Sequence, residues 1–299
     1  MDRRQFVMTG LTAAAGTVLG ACVREGTEGM QTAPRVAASN RMPVLFVGHG
    51  SPMNAVLDNR WSRALRALGA RLPRPRAVLA ISAHWWIDGT HLTADVAPRT
   101  IHDFYGFPPE LYAIRYPAPG SSDLVARVRA LLGERHAVPS HDWGLDHGTW
   151  TVLRWLWPTA EVPVVQLSMD RRLSPQSAVE IGRRLAPLRD EGVIVLGSGN
   201  VTHNLRHAMS NLGRDDAPTP VWASRFDGEV ARMSAQRDAV ALARLWPDGP
   251  DARLAHPTPD HYLPLLYAAG AAGSDGGDAS FPVEGFDAGS LSMRAVLWS

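Results

Sequence analysis

The chain has 299 residues, of which 45% are hydrophobic and 20% are charged, an ordinary globular composition with room for one large domain or two small ones. The formal net charge is +1, so the sequence gives no electrostatic reason to expect a nucleic-acid partner. The single cysteine excludes an internal disulfide, and the eleven histidines are numerous enough that their positions need an explanation.

The first residues have the pattern of an export signal. Arg3 and Arg4 precede an apolar stretch of small residues at 7–21, which resembles a twin-arginine signal and is too short for a confident membrane span. The stretch ends in Leu-Gly-Ala-Cys, which resembles a lipobox whose Cys22 becomes acylated. We therefore predict a twin-arginine lipoprotein-type signal at 1–22. The alternative is a disordered tail with a chance cysteine.

This signal predicts export by the twin-arginine route. The mature protein is expected in the periplasm, or anchored to the membrane by a lipid on Cys22 and facing the periplasm. Residues 23–41 are polar and small, which predicts a flexible tether between the signal and the folded part.

From residue 42 onward, short apolar runs alternate with longer amphipathic segments. This alternation predicts an α/β fold: a single domain with a mostly parallel central sheet flanked by helices. The apolar runs are rich in Val and Ile, as buried parallel strands are, and lie at 44–48, 77–83, 162–169 and 192–199. Helices are predicted at 61–68, 122–132, 148–157, 174–190, 221–245 and 261–272, a surface loop at 273–280, and a final edge strand at 290–298.

Three histidines follow the ends of predicted strands. His49 stands between two glycines after the first run, His84 follows the second, and His203 comes shortly after the fourth. Ligands of open α/β sheets bind outside these strand ends, and neutral imidazoles favour zinc, iron or copper. A fourth, His261, opens an apolar segment that Asp260 could cap as a helix. The spacing alone leaves a metal site and separate structural histidines about equally supported.

Other polar residues also occupy positions suited to chemistry. His147 follows Asp146 at the start of a helical segment, His102 and Tyr105 belong to a loop rich in aromatics, and Asn200 precedes His203. Considered as single residues, His147 fits a helix N-terminus, and His102 and Tyr105 fit a packed surface loop.

Nine motifs, taken together and in order, resemble one known family. They are GHGSPMN, SAHW, HDFYGFPPELY, YPAPG, GLDHGTW, VPVVQLSMD, GSGNVTHNL, TPDHYLPLL and SLSM. The chain resembles the class III (LigB-type) extradiol ring-cleavage dioxygenase superfamily, specifically its 4,5-DOPA dioxygenase branch. The resemblance runs from about residue 42 to the C-terminus.

The resemblance implies a catalytic domain at 42–299 with its active site at the C-terminal ends of strands. It places metal ligands at His49, His84 and His261, with His203 either a further ligand or an active-site base. His147 is expected near the substrate hydroxyls, so His203 and His147 are the expected catalytic residues. His102, Tyr105 and Asn200 are expected to bind substrate.

The implied reaction inserts O₂ into a catechol such as DOPA, with non-haem Fe(II) as cofactor. Better-known members of the superfamily use two histidines and one glutamate, whereas here the third position is His261. An all-histidine set carries no ligand charge, so zinc suits the same site. A nearby histidine would accept a proton from the catechol. The aromatic rings of Trp85, Phe104, Tyr105 and Phe107 could pack against the substrate ring.

Two other functions fit the same residues. One is a zinc-dependent hydrolase on the same scaffold, with His147 or Asp146 as the base that activates water. The other is a non-catalytic lipoprotein that binds a metal or a small aromatic molecule. The sequence predicts neither the oligomeric state nor the natural catechol.

Overall fold

Continuous apolar runs form the centre of one large sheet. The computed structural model describes residues 41–212, 214 and 216–299, and within them eight strands pair in the order β4-β3-β5-β2-β6-β1-β10-β7. These strands are β1 (Val44–Gly48), β2 (Ala77–Ile87), β3 (Thr90–Thr93), β4 (Ala137–Ser140), β5 (Val164–Asp170), β6 (Val193–Gly199), β7 (Ala279–Val283) and β10 (Ala295–Trp298). A separate ribbon pairs β8 (Phe286–Asp287) with β9 (Leu291–Ser292).

The middle of the sheet is parallel and covered on both faces. β5, β2, β6 and β1 run in the same direction, whereas β10 pairs antiparallel with β1, and β3 with β5. Successive residues of β1 enter two different cores: Val44 and Phe46 pack on one side, and Leu45 and Val47 on the other. Burial of both faces explains why these strands are apolar without alternation.

Ten α-helices lie within the described residues. They are α1 (Arg60–Arg71), α2 (Pro109–Ala113), α3 (Ser122–Leu132), α4 (His147–Leu156), α5 (Pro175–Leu185), α6 (Leu205–Met209), α7 (Val221–Ala235), α8 (Ala239–Asp248), α9 (Ala252–Ala255) and α10 (Leu263–Ala272). Helices α1 and α4 belong to one core, and α3, α5, α8 and α10 to the other. The predicted fold class and the four central strands are confirmed.

The predicted helix at 221–245 is in fact two helices. Arg237 adopts a positive φ of 54°, which ends α7, and the Asp238 side chain caps α8 by accepting from the backbone N–H of Ala241. A residue in the left-handed region cannot continue a right-handed helix. The helical spacing of the apolar residues does not reveal this break.

The C-terminal segment also differs from its prediction. Residues 290–298 form β9 and β10, and β10 lies inside the sheet between β1 and β7 rather than at its edge. The predicted surface loop at 273–280 ends where β7 begins at Ala279, so β7 is the edge strand on this side. Edge strands are short and only partly buried, which weakens their apolar pattern.

No helix in the described part of the chain combines the length and apolar character needed to cross a membrane. The predicted signal at 1–22, Cys22 and all but the last residue of the tether at 23–41 lie outside the described residues.

Helix α10 is buried all round and packs closely against α5. A Cβ atom on Gly270 would lie 2.2 Å from the carbonyl oxygen of Val179, and one on Gly182 would lie 2.2 Å from that of Tyr267. Both clashes involve backbone atoms, which rotamer changes cannot relieve. The two glycines therefore set the distance between these helices.

We predict that Gly270→Ala lowers the free energy of unfolding by roughly 1–3 kcal/mol, because the new methyl group forces the helices apart. Gly228→Ala in α7 is the matched control: nothing lies within 4 Å of its Cβ position, so higher helix propensity should stabilise the protein by about 0.5–1 kcal/mol. Urea unfolding measures both effects. Equal responses from the two variants would contradict the close-packing explanation.

Candidate active site

His49 enters the site from the end of β1, beside the end of β6. Its ring Nδ1 lies 3.0 Å from the hydroxyl oxygen of Ser198. That hydroxyl donates its only proton to the carbonyl oxygen of Gly148, so its oxygen must accept from Nδ1–H of His49. The serine therefore fixes the tautomer of His49 and leaves a lone pair on its Nε2.

His84 comes from β2, at a point where the pairing of β2 with β5 shifts register. Such irregularities re-aim side chains at the ends of strands. Its Nε2 lies 3.2 Å from Nε2 of His49, and its Nδ1 lies 3.3 Å from a carboxylate oxygen of Asp103. His84 therefore faces His49 with one nitrogen and a carboxylate with the other.

His261 reaches the same place from the segment before α10. Its Nδ1 lies 2.5 Å from a carboxylate oxygen of Asp260. The expectation that Asp260 caps the helix is wrong: α10 has Tyr262 at its N-cap without any side-chain cap, and the Asp260 carboxylate faces the ring of His261 instead.

The rings of these three histidines form a nearly equilateral triangle. The centroid distances are 5.0 Å between His49 and His84, 5.2 Å between His49 and His261, and 5.1 Å between His84 and His261. Each outer nitrogen faces an oxygen atom, which leaves the lone pair of the other ring nitrogen free. Lone pairs only 3.2 Å apart repel each other unless a proton or a cation lies between them.

Burial keeps these imidazoles neutral. Desolvation, reinforced by repulsion from neighbouring histidines, holds the pKa of His49 and His261 well below its usual value. Burial is also the main cause that lowers the pKa of His84 to about 3, followed by repulsion from His147. Neutral imidazoles with converging lone pairs are a donor set that fits zinc or iron.

His147, the first residue of α4, stands beside His84. Their ring centroids are 3.8 Å apart, and Nδ1 of His147 lies 3.0 Å from the Asp103 carboxylate. One ring nitrogen from each of His49, His84 and His147 lies within 4.8 Å of the others, so this set also has the spacing to hold a metal ion. Burial would raise the pKa of Asp103, but its contacts with His147 and His84, including the backbone N–H of His147, lower it to about 2.

His203 lies on the other side of the cluster. Its ring stacks on that of His261 with centroids 3.4 Å apart and an angle of 3°, and together with Asp260 the pair forms a second group able to hold a metal. Burial lowers the pKa of His203 to about 4, an effect that Asp260 opposes and His147 reinforces. The structure thus brings together all four predicted metal ligands and His147.

The three predicted substrate-binding residues lie outside this cluster. His102 has its Nε2 3.1 Å from the carbonyl oxygen of Ile114, and the side chain of Tyr105 is 93% exposed. Asn200 donates to the carbonyl oxygen of Ser292 at 2.8 Å and accepts from the backbone N–H of Gly50 at 3.3 Å. Their contacts with substrate stay predictions.

Of the aromatic residues considered from sequence, Phe104 lies nearest to the histidines. Its ring meets that of His147 edge-on at 5.5 Å. Trp85, which follows His84 on β2, is buried and stacks with Trp143 at 5.8 Å. Successive strand residues point to opposite faces, so His84 and Trp85 cannot share the site.

Sequence reasoning gave no role to Ser198 or Asp103, the groups beside the outer nitrogens. A signal existed for Ser198, a polar residue that interrupts the apolar run of β6. Asp103 precedes the aromatics of the HDFYGFP loop, and only the folded chain places it between His84 and His147.

Comparison with known proteins identifies the family. The family model described as the catalytic LigB subunit of aromatic ring-opening dioxygenase matches residues 45–290. The chain belongs to the LigB family.

Relatives of this LigB-family chain occur in bacteria and plants. It is 46% identical over 265 residues to the 4,5-DOPA dioxygenase extradiol of Escherichia coli K12, covering 87% of this chain and 96% of the relative. The Beta vulgaris protein of the same name is 36% identical over 242 residues, covering 79% and 89%. The crystal structure of an uncharacterized Escherichia coli K12 protein matches with a TM-score of 0.74 and 41% identity, covering 87% of this chain and all of that one.

This membership confirms several predictions. The protein is an enzyme, a dioxygenase of the extradiol type, built as one α/β domain around a mostly parallel sheet. LigB dioxygenases depend on a metal, and the described residues include one group of three histidines and one group of two histidines with an aspartate that could hold one. The non-catalytic alternative is therefore set aside.

The pKa values lead to a prediction for metal binding. The site histidines are neutral well below pH 6, because their pKa values are lowered by burial, so a metal has almost no protons to displace from them. We expect Zn²⁺ binding at pH 6 to release well under one proton per ion, whereas three ordinary histidines would release roughly two. Affinity should fall only as the pH approaches the lowered pKa values, about 3 for His84.

Isothermal titration calorimetry of the metal-free protein, in buffers of different ionisation enthalpy at pH 6, measures this proton release. Release of two or more protons per ion would show that the free site is protonated and contradict the neutral donor set.

Proposed function

We propose that this protein is a metal-dependent extradiol dioxygenase that cleaves the ring of a catechol such as DOPA with O₂. The observation that carries the proposal is the triangle of buried imidazoles from His49, His84 and His261, with ring centroids 5.0 to 5.2 Å apart and each outer nitrogen beside an oxygen atom. The names of the Escherichia coli and Beta vulgaris relatives support DOPA-type catechols as the substrate class.

In this proposal His49, His84 and His261 hold Fe(II), and zinc competes for the same nitrogens. When bound, Fe(II) supplies a Lewis acid and a redox centre at which a catechol and O₂ can meet. Three neutral ligands leave positions open for both. His203, stacked on His261, is the candidate for an additional ligand.

His147 is the residue best placed to accept a proton from a catechol hydroxyl. Its Nδ1 lies beside the Asp103 carboxylate, and that negative charge stabilises the positive charge the ring acquires when its other nitrogen takes a proton. His203 is a weaker acceptor near neutral pH, because burial lowers its pKa to about 4.

Burial of the site shapes the approach of the substrate. His49, His147 and His261 are each at most 6% exposed, whereas His84 and His203 are partly exposed, so a substrate would enter from the side of the latter two. Phe104 lies at the edge of His147, where its ring can pack against the aromatic ring of a catechol.

The hydrolase alternative loses one of its two candidate bases. Asp146 is fully buried and caps α4 by accepting from the backbone N–H of Thr149, and it is also bonded to the side chain of Gln166. Burial, together with the charge of Asp103, raises its pKa to about 6. With its oxygens engaged in this way, Asp146 supports the start of α4 rather than the activation of water.

The proposal is tested by anaerobic reconstitution with Fe(II), followed by addition of L-DOPA and other catechols with O₂. We expect stoichiometric O₂ uptake with a yellow ring-opened product, and a loss of at least about 100-fold in kcat/KM for His49→Ala, because the metal site loses a ligand. His136→Ala, which changes an exposed histidine, is the control and should retain activity. No O₂ uptake with any catechol, alongside zinc-dependent ester or amide hydrolysis, would favour the hydrolase.

We also propose that the protein is exported and lipidated at Cys22. In full-length chain expressed in a bacterial host, we expect palmitate labelling and recovery with the membrane fraction. Cys22→Ser should move the protein to the soluble periplasm, and changing Arg3 and Arg4 to lysine should retain it in the cytoplasm. Unlabelled full-length protein that stays in the cytoplasm with Arg3, Arg4 and Cys22 intact would contradict this localisation.

A further inference from the structure

A single carboxylate lies between two of the histidines. Oδ2 of Asp103 is 3.3 Å from Nδ1 of His84 and 3.0 Å from Nδ1 of His147. Its Oδ1 accepts the backbone N–H of His147 at 2.9 Å. The Asp103 side chain is only 15% exposed, so water competes little for these contacts.

We propose that Asp103 is a positioning residue that holds His84 and His147 together in their Nδ1–H forms, so that both Nε2 lone pairs face the reaction site. This inference rests on the proposed function, in which His84 is a metal ligand and His147 a proton acceptor. Asp103 acts through both rings and has no assigned contact with substrate or metal.

The number of donors around Asp103 requires a carboxylate. Two ring nitrogens and one backbone N–H lie beside its two oxygens, and in the proposed Nδ1–H forms the carboxylate has enough lone pairs for all three donors. An asparagine has the same shape but only one accepting oxygen. Its NH₂ group would face either the backbone N–H or both ring N–H groups, so at least one donor would lose its acceptor.

His147 depends on Asp103 most directly. Its buried Nδ1 forms no hydrogen bond of regular geometry within the described residues, and the Asp103 carboxylate, 3.0 Å away, is the charged group at its side. The 3.8 Å separation of the His84 and His147 rings means that a change in one displaces the other. By contrast, His49 and His261 each have their own oxygen partner, from Ser198 and Asp260.

The place of Asp103 in the chain gives this arrangement a second consequence. Ser198 belongs to a central strand, whereas Asp103 belongs to a loop. The next residues of that loop are Phe104, whose ring meets that of His147, and the exposed Tyr105. Asp103 therefore joins the loop beside the substrate entrance to one metal ligand and to the proton acceptor.

The first test compares Asp103→Asn with Asp95→Asn. Asp95 is a matched control because it also pairs a carboxylate with a histidine Nδ1, but at the surface: the two groups of Asp95 and the exposed His141 are 2.5 Å apart. With purified metal-free protein and Zn²⁺ alone in competition with a chelator, we expect Asp103→Asn to lower affinity about 10- to 100-fold. Asp95→Asn should bind as the unchanged protein does. The absorption spectrum of bound Co²⁺ should change only in Asp103→Asn.

The second test uses the unchanged protein, so it does not depend on whether a variant folds. Long-range ¹H–¹⁵N NMR of the unchanged metal-free protein reports which ring nitrogen carries the proton, and we expect Nδ1–H for both His84 and His147. Finding Nε2–H on both rings would overturn the proposal, as would an Asp103→Asn protein that is folded and matches the unchanged protein in Zn²⁺ affinity and Co²⁺ spectrum.

These readouts are independent of turnover. A protein that binds Zn²⁺ through Asp103-dependent histidines but cleaves no catechol would refute the dioxygenase proposal and leave the role of Asp103 intact. An active dioxygenase whose Asp103→Asn variant binds Zn²⁺ normally would refute the role of Asp103 alone.

Discussion

The site depends on controlling which nitrogen of each buried imidazole carries the proton. A buried histidine is stable only when its N–H has an acceptor, and it is useful as a ligand only when its lone pair faces the ion. The chain meets both needs by placing an oxygen behind each ring: the Ser198 hydroxyl, the Asp103 carboxylate and the Asp260 carboxylate. As a consequence, the lone pairs on the inner nitrogens repel one another. Burial strengthens this repulsion, and a bound cation would remove it.

The parallel sheet explains how distant residues meet. β1 and β6 are hydrogen-bonded neighbours that end together, with Gly48 opposite Gly199, so His49 and Ser198 come into contact although 149 positions separate them. A Cβ atom on Gly199 would lie 2.2 Å from the carbonyl oxygen of His261, so this glycine lets the segment before α10 approach the strand end. Part of the site thus comes from the ends of central strands, and part from the loop of Asp103.

Features that depend on neighbouring residues in the chain could be predicted from the sequence, whereas contacts between residues far apart in the chain could not. The central strands were predictable because burial on both faces leaves a continuous apolar run, and His49 and His84 were predictable because they follow such runs. The contacts of Asp103 and Ser198 were not, because an acceptor for a ring nitrogen has no fixed spacing from it in the chain. The break at Arg237 and the interior position of β10 depend on local backbone geometry and sheet order, which hydrophobic periodicity does not record.

The placement of charge offers a reason why the proposed ligand set needs no carboxylate of its own. Three neutral imidazoles alone would leave a divalent ion uncompensated in a buried site, which is costly. Here Asp103 and Asp260 lie behind the rings of His84 and His261, and the pKa of Asp103 is lowered to about 2, so its charge persists at neutral pH. Negative charge is thereby supplied through the imidazoles instead of by direct ligation. In the proposed dioxygenase the two aspartates would support the metal site through the histidines that they contact, without themselves occupying coordination positions.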